Sequence, residues 1–182
     1  MWEAYAAGTI PVGAVVADEA GAIVARGRNR IHDEPGDRQL GRTRLAHAEI
    51  NALALLPPPQ TYETFTLYSA LEPCHLCAAA VYSARVGAVR YAGEDPYAGG
   101  VGKLVPAVDH AAHPVVFEGP LPGSAGRLPE LLHVAHMLWR VPDGNFVRFY
   151  RKARPELVAA AAQLPPPDAG ATLPDAVAAV AL

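Results

Sequence analysis

Residues 66–86 read Thr66-Leu-Tyr-Ser-Ala-Leu-Glu-Pro-Cys74-His-Leu-Cys77-Ala-Ala-Ala-Val-Tyr-Ser-Ala-Arg-Val86, and the fold turns on how this stretch divides. Thr66-Leu67-Tyr68 is β-prone, Glu72-Pro73 marks a turn, and the Ala-rich remainder favours helix. Proline suits a first helical turn, where its missing N–H costs nothing. The division predicts a strand feeding a helix, with Cys74 and Cys77 one turn apart at the helix N-terminus. Unpaired backbone N–H groups and the positive end of the dipole favour thiolate there. Two thiolates at i and i+3 can grip one metal ion, but zinc takes further ligands.

The third donor lies upstream, in the helix-like run Leu45-Ala-His47-Ala-Glu49-Ile-Asn-Ala-Leu53. His47 offers an imidazole nitrogen, whereas Glu49, two residues on, points elsewhere and is not expected to bind the same ion. One His and two Cys leave the fourth position of a tetrahedral ion open, which marks a catalytic rather than a structural zinc site. A lone Cys-x-x-Cys also reads as a thioredoxin-like redox pair or as two small buried hydrophobes. Pro73 directly before the first Cys, with His-Ala-Glu upstream, selects the metal reading. A c-type haem site is excluded because Ala78, not His, follows Cys77; His75 reads as a partly exposed first-turn residue.

The 182 residues are 51% hydrophobic, enough for one globular domain with a real core. A net charge of −3 gives no strong field to attract nucleic acid. Both cysteines are assigned to metal, so no disulfide framework is expected, and the chain reads as cytoplasmic. No apolar run reaches the length of a membrane span, so no membrane partner is expected.

Along the chain, Met1 to Gly8 is helix-like, Ile10 to Ala17 and Ala22 to Gly27 form a hairpin, and His32 to Arg44 is a polar loop. Arg44 to Leu56 is the His47 helix, and Gly87 to Gly93 a fourth strand. Pro114 to Gly119 is a short fifth strand, and Gly126 to Arg140 an amphipathic helix. Asn145 to Tyr150 is strand-like, Arg154 to Leu164 helical, and residues 165–182 an Ala/Pro-rich tail. This order predicts an α/β fold with a sheet covered by helices on both faces, in a single domain over residues 1–164. Two further pairs, His110-x-x-His113 and His133-x-x-His136, could bind a second metal, but a half-exposed helix face is expected for the latter.

Several motifs together resemble the cytidine deaminase-like superfamily. They are Pro11-Val-Gly-Ala-Val15, Gly27-x-Asn29, His47-Ala-Glu49, Thr66-Leu-Tyr68 and Leu71-Glu-Pro-Cys-x-x-Cys77, with Ser83-Ala-Arg-Val-Gly87 and Tyr91-Ala-Gly-Glu-Asp95 continuing the likeness. The likeness spans about residues 8–102, looks closest to the branch of tRNA adenosine and guanine deaminases, and includes the H-x-E…P-C-x-x-C signature of zinc deaminases. It implies a three-layer α/β/α sandwich around a five-stranded mixed sheet. It implies His47, Cys74 and Cys77 as Zn2+ ligands and Glu49 as the catalytic proton shuttle. Asn29 and Val12 would line the substrate pocket, with the backbone N–H of Ala48 nearby. The expected reaction is hydrolytic deamination, in which zinc activates water and Glu49 moves its proton to the ring and to the departing amine.

The charge pattern points to a free base or nucleoside as substrate, since Asp33, Glu34, Asp37, Glu94 and Asp95 fall in the two loops expected to rim the pocket. A tRNA wobble adenosine is the alternative. Arg148, Arg151, Lys152 and Arg154 then become a phosphate-binding arm rather than a solvated face. A zinc module without activity is the third reading, opposed by Glu49 and by the open coordination position. The resembling enzymes are commonly dimers, so a homodimer is expected.

Overall fold

In the computed structural model, residues 1–58, 61–104 and 113–164 are described, with positions 166, 172–174 and 178 beyond them. His110 and most of the 165–182 tail lie outside the described residues. Helix α1 (Trp2–Ala6) precedes a hairpin of β1 (Gly13–Ala17) and β2 (Ile23–Arg28). Asp18 Oδ1 closes its turn by accepting the N–H groups of Ala20 and Ala22. Next come α2 (Ala48–Leu53), β3 (Tyr62–Leu71), α3 (His75–Ala84) and β4 (Val86–Gly93). The short α4 (Val101–Leu104) and β5 (Val116–Glu118) lead to three helices, α5 (Gly123–Arg140), α6 (Asn145–Ala153) and α7 (Pro155–Ala161).

The strands form one five-stranded sheet in the order β2-β1-β3-β4-β5. β1 runs antiparallel to β2 and β3, whereas β3, β4 and β5 are parallel, so the expected mixed sheet is present. Alternation along the strands turns Ala14, Val16, Leu67, Leu71 and Val89 inward, where they pack with Ala48 and Ala52 of α2 and Val81 of α3. Gly27 lets α2 approach β2 closely: a Cβ there would lie 2.2 Å from the Ala48 carbonyl oxygen and 2.4 Å from Ala52 N. On the opposite face, Val15, Tyr68, Ala70 and Arg90 share a depression with Met1 and Trp2 at the start of the chain. Tyr68 is 39% exposed, so this face is the more open of the two.

The His47 helix is shorter than expected at both ends. His47 is an extended N-cap (φ −74°, ψ 154°) and Ala54 the C-cap. The loop over residues 32–44 is pinned by Asn51, which accepts from Leu40 N at 2.8 Å and donates to the carbonyls of Arg28 and Leu40. Asn145 to Tyr150, read as strand-like, is instead the first part of α6. Phe146, Val147 and Tyr150 are buried and spaced i, i+1, i+4, while Arg148, Arg151 and Lys152 face outward. That is a helical period, and the β-prone side chains concealed it. These three apolar residues join Leu131, Val134 and Ala135 of α5 and Leu157 and Ala161 of α7 in a second core. Tyr5 of α1 packs on Leu132 of α5, tying this helical unit to the start of the chain.

Candidate active site

The carboxyl ends of β3 and β4, the start of β1 and the end of β2 meet at one edge of the sheet, where open α/β sheets commonly bind ligands. Two helices begin there. His47 caps α2 and Cys74 caps α3 in the same extended conformation (φ −69°, ψ 174°), with Cys77 in the first turn of α3. Fold and motif thus bring residues 27 and 30 positions apart onto one point: Cys74 Sγ lies 3.6 Å and Cys77 Sγ 3.4 Å from His47 Nδ1, and the sulfurs are 3.7 Å apart.

Those separations fit zinc. Tetrahedral bonds of about 2.3 Å to sulfur and about 2.0–2.1 Å to nitrogen give edges of about 3.8 Å between sulfurs and about 3.5 Å from sulfur to nitrogen. His47, Cys74 and Cys77 form the only such three-donor group among the described residues, and Glu49 stands beside it rather than in it. His75 is exposed at the start of α3.

The thiols are polarised against each other. The hydrogen bond between the two sulfurs holds Cys74 down at about 4. The same bond, with burial, pushes Cys77 well above the usual thiol range. His47 is raised, chiefly by its hydrogen bond to Cys74, although burial opposes this. A bound cation would hold both sulfurs as thiolates.

Glu49 is 4% exposed, in the first turn of α2. Its Oε1 accepts from Ser69 Oγ at 2.9 Å, and its Oε2 lies 3.3 Å from Cys77 Sγ. Burial pushes its carboxyl above the ordinary carboxylate range. Ser69 was not singled out in the sequence; its signal is a polar residue at an inward-facing position of β3, between Leu67 and Leu71.

A cavity of about 390 Å³ opens onto this group. Asn29 and Val12 both line it, as do His47, Glu49 and Cys74. Asn29 Oδ1 accepts from Thr9 Oγ1 at 2.8 Å and from the N–H of Ile31 at 3.0 Å. The backbone N–H can only donate, so this orientation of the amide is fixed and Nδ2 is left for the cavity. Ala48 is fully buried and does not line the cavity; its methyl belongs to the main core.

The remaining lining went unrecognised in the sequence. Ile10, Leu71, Glu72, Tyr97, His133, Met137 and Phe146 contribute, several of them from α5 and α6. His133 and His136 are 8% and 0% exposed, not on a half-exposed helix face. Of the five acidic residues expected at the rim, only Asp95 lines the cavity. Asp33 pairs with Arg28 and Arg30, Glu34 with Arg42, and Glu94 with Arg154. Arg154 also holds Glu130 through two hydrogen bonds of 2.6 and 2.7 Å, so this member of the expected basic cluster is committed inside the protein.

Comparison with known proteins places these observations in a wider context. Residues 1–93 match the model of the cytidine and deoxycytidylate deaminase zinc-binding region. The chain is 38% identical over 125 residues to a tRNA(Ile)-lysidine synthase of Deinococcus radiodurans, covering 65% of this chain and 20% of that protein. It is 35% identical over 89 residues to a guanine deaminase of Bacillus subtilis, covering 46% of this chain and 51% of that one. Among solved structures it is similar to a chain from work on A-to-I editing by tRNA:A34 deaminases at the wobble position, at 30% identity and a TM-score of 0.52, covering 64% of this chain and 88% of that chain. The chain thus spans a fifth of the length of the first of these named relatives and about half of the second.

Proposed function

The chain belongs to the cytidine and deoxycytidylate deaminase zinc-binding family, and from that premise we propose that it is a zinc-dependent hydrolytic deaminase of a small aminated nucleobase or nucleoside, releasing ammonia. His47, Cys74 and Cys77 hold the metal. Zinc so bound would polarise water at its open position and supply the nucleophile. Glu49, oriented by the bond from Ser69, takes one proton of that water and delivers it to the ring nitrogen. It then takes the second from the hydroxyl added to the ring carbon and delivers it to the amine as the C–N bond breaks. Asn29 Nδ2 donates to the base, held in line by the bonds from Thr9 and Ile31 to its oxygen. Val12, Leu71 and Phe146 give the apolar walls on which a heterocycle stacks.

One observation carries the choice of a small neutral substrate. Among the described residues no Lys or Arg lines the cavity, whereas Glu49, Glu72 and Asp95 do. Phosphate groups need cationic or N–H-rich surroundings, and three carboxylates repel them. An ammonia-release panel of bases, nucleosides and nucleotides, run beside an inosine assay on transcribed tRNA, tests this. Turnover of bases or nucleosides supports the reading, and turnover of tRNA alone sinks it.

The tRNA wobble adenosine is the second reading, supported by the likeness to the tRNA:A34 deaminase chain. A zinc module without activity is opposed by the absence of a fourth protein donor from the metal group among the described residues, and by a buried carboxylate that such a site does not need.

A further inference from the structure

The family match ends at residue 93, yet part of the cavity wall comes from beyond it, through Tyr97, His133, Met137 and Phe146. Of these four, His133 alone brings ring nitrogens to the wall. It is 8% exposed and its ring lies 4.5 Å from that of Phe146, centroid to centroid. Among the described residues its buried Nδ1 has no hydrogen-bond partner, and the residue lines the cavity. Buried polar groups nearly always have partners, and an orphan on a cavity wall is a group whose partner is missing.

The surroundings fix what that partner can be. Asp95, on the same wall, has Oδ1 occupied by the N–H groups of Tyr97 and Ala98 at 3.1 and 2.9 Å. Burial keeps His133 below its usual pKa, although Asp95 pulls the other way, so the ring is neutral near pH 7. A neutral imidazole offers one donor and one acceptor and no charge. It therefore suits the uncharged polar edge of a heterocycle.

We infer that His133 is a substrate-contacting specificity residue, whose imidazole hydrogen-bonds the edge of the base seated against Phe146; this rests on the small-base reading above. A base whose edge cannot meet His133 leaves the imidazole unpaired and is discriminated against. The determinant sits on α5, outside the segment that carries the metal donors.

Two substitutions test it on the zinc-loaded protein. His133→Phe keeps a ring against Phe146 and removes both nitrogens, whereas His133→Gln keeps a donor and an acceptor. Binding of the deaminated products uracil, hypoxanthine, xanthine and their ribonucleosides is measured by calorimetry, and ammonia release from the aminated cytosine, adenine, guanine and their ribonucleosides by steady-state kinetics. Zinc content and thermal midpoint serve as controls. The expectation for His133→Phe is about tenfold weaker binding and a loss of kcat/KM that falls mainly on KM. Zinc is retained, the order of preference among bases changes, and His133→Gln recovers most of the loss. A His133→Phe protein that binds and turns over every base as the wild type does overturns the inference and leaves the small-base reading intact. If the wild type deaminates only tRNA, the small-base reading fails, and the ratio of His133→Phe to wild type on that RNA then decides the role of His133. A wild type that neither binds nor deaminates any of these sinks both.

Discussion

Replacing Glu49 by Gln separates the proposed chemistry from the architecture around it. The amide keeps an oxygen where Oε1 accepts from Ser69 at 2.9 Å, and puts an NH2 where Oε2 lies 3.3 Å from Cys77 Sγ. Packing is unchanged, because the two side chains have the same shape and the site is buried. Burial disfavours the charged carboxylate, so a neutral amide leaves the fold as stable as before or slightly more so. The amide cannot accept a proton, and one group serving several transfers forfeits them all together. A single general acid–base group contributes about 10² to 10⁴-fold, so kcat should fall by about 10⁴ or more, equivalent to about 5.5 kcal/mol of barrier. The assay combines ammonia release, zinc content and thermal midpoint on one preparation. Retention of more than about one-hundredth of kcat with zinc in place would falsify the assignment of Glu49, since some other group would then be moving the proton.

Other perturbations follow from the same geometry. Cys74→Ala or Cys77→Ala should take zinc from about one ion per chain to none and lower stability, by roughly 1–3 kcal/mol even before metal loss for the fully buried Cys77, as read by metal analysis and urea denaturation. Persistent stoichiometric zinc in either variant counts against the donor set. His136 is fully buried with neither ring nitrogen partnered, and burial, then the neighbouring His133, His32 and Arg140, hold its pKa at about 3. Its folded pKa is depressed, so its contribution is fully present above the unfolded value of about 6.5 and is lost as pH falls towards 3, at about 1.4 kcal/mol per pH unit. The stability gap between wild type and His136→Leu should therefore shift by about 2 kcal/mol between pH 7 and pH 5, and a gap that stays constant refutes this. The chain should also self-associate, given the more open sheet face around Tyr68; sedimentation that finds only monomer at micromolar concentration argues otherwise.

The metal group was legible in the sequence because its geometry is local twice over. Cys74 and Cys77 are placed by one helix start and His47 by another, and the parallel pairing of β3 with β4 follows from the strand–helix–strand order between them. Short-range rules of capping and turn chemistry fix each half, and the handed crossover brings the halves together. Glu49 came with the same helix start, although the serine that orients it reaches across from β3, 20 residues away.

What was not legible depends on tertiary pairing that no local pattern encodes. Asn145 to Tyr150 looked like strand because Phe, Val and Tyr fit a pleated surface, yet packing on α5 and α7 imposed the helical period. Acidic residues counted by loop position were mostly neutralised by arginines, Glu94 by Arg154 across 60 residues and Asp33 by Arg28 and Arg30. Charge counted along the sequence therefore overstated the acidity of the rim. Of the described residues, Glu49, Glu72 and Asp95 line the cavity and no Lys or Arg does. The helices that close the cavity fall outside the matched segment, so part of the cavity wall lies apart from the metal donors in the chain. Substitutions on α5 and α6 can then alter which base is accepted while the three donors and Glu49 stay where β3, α2 and α3 put them.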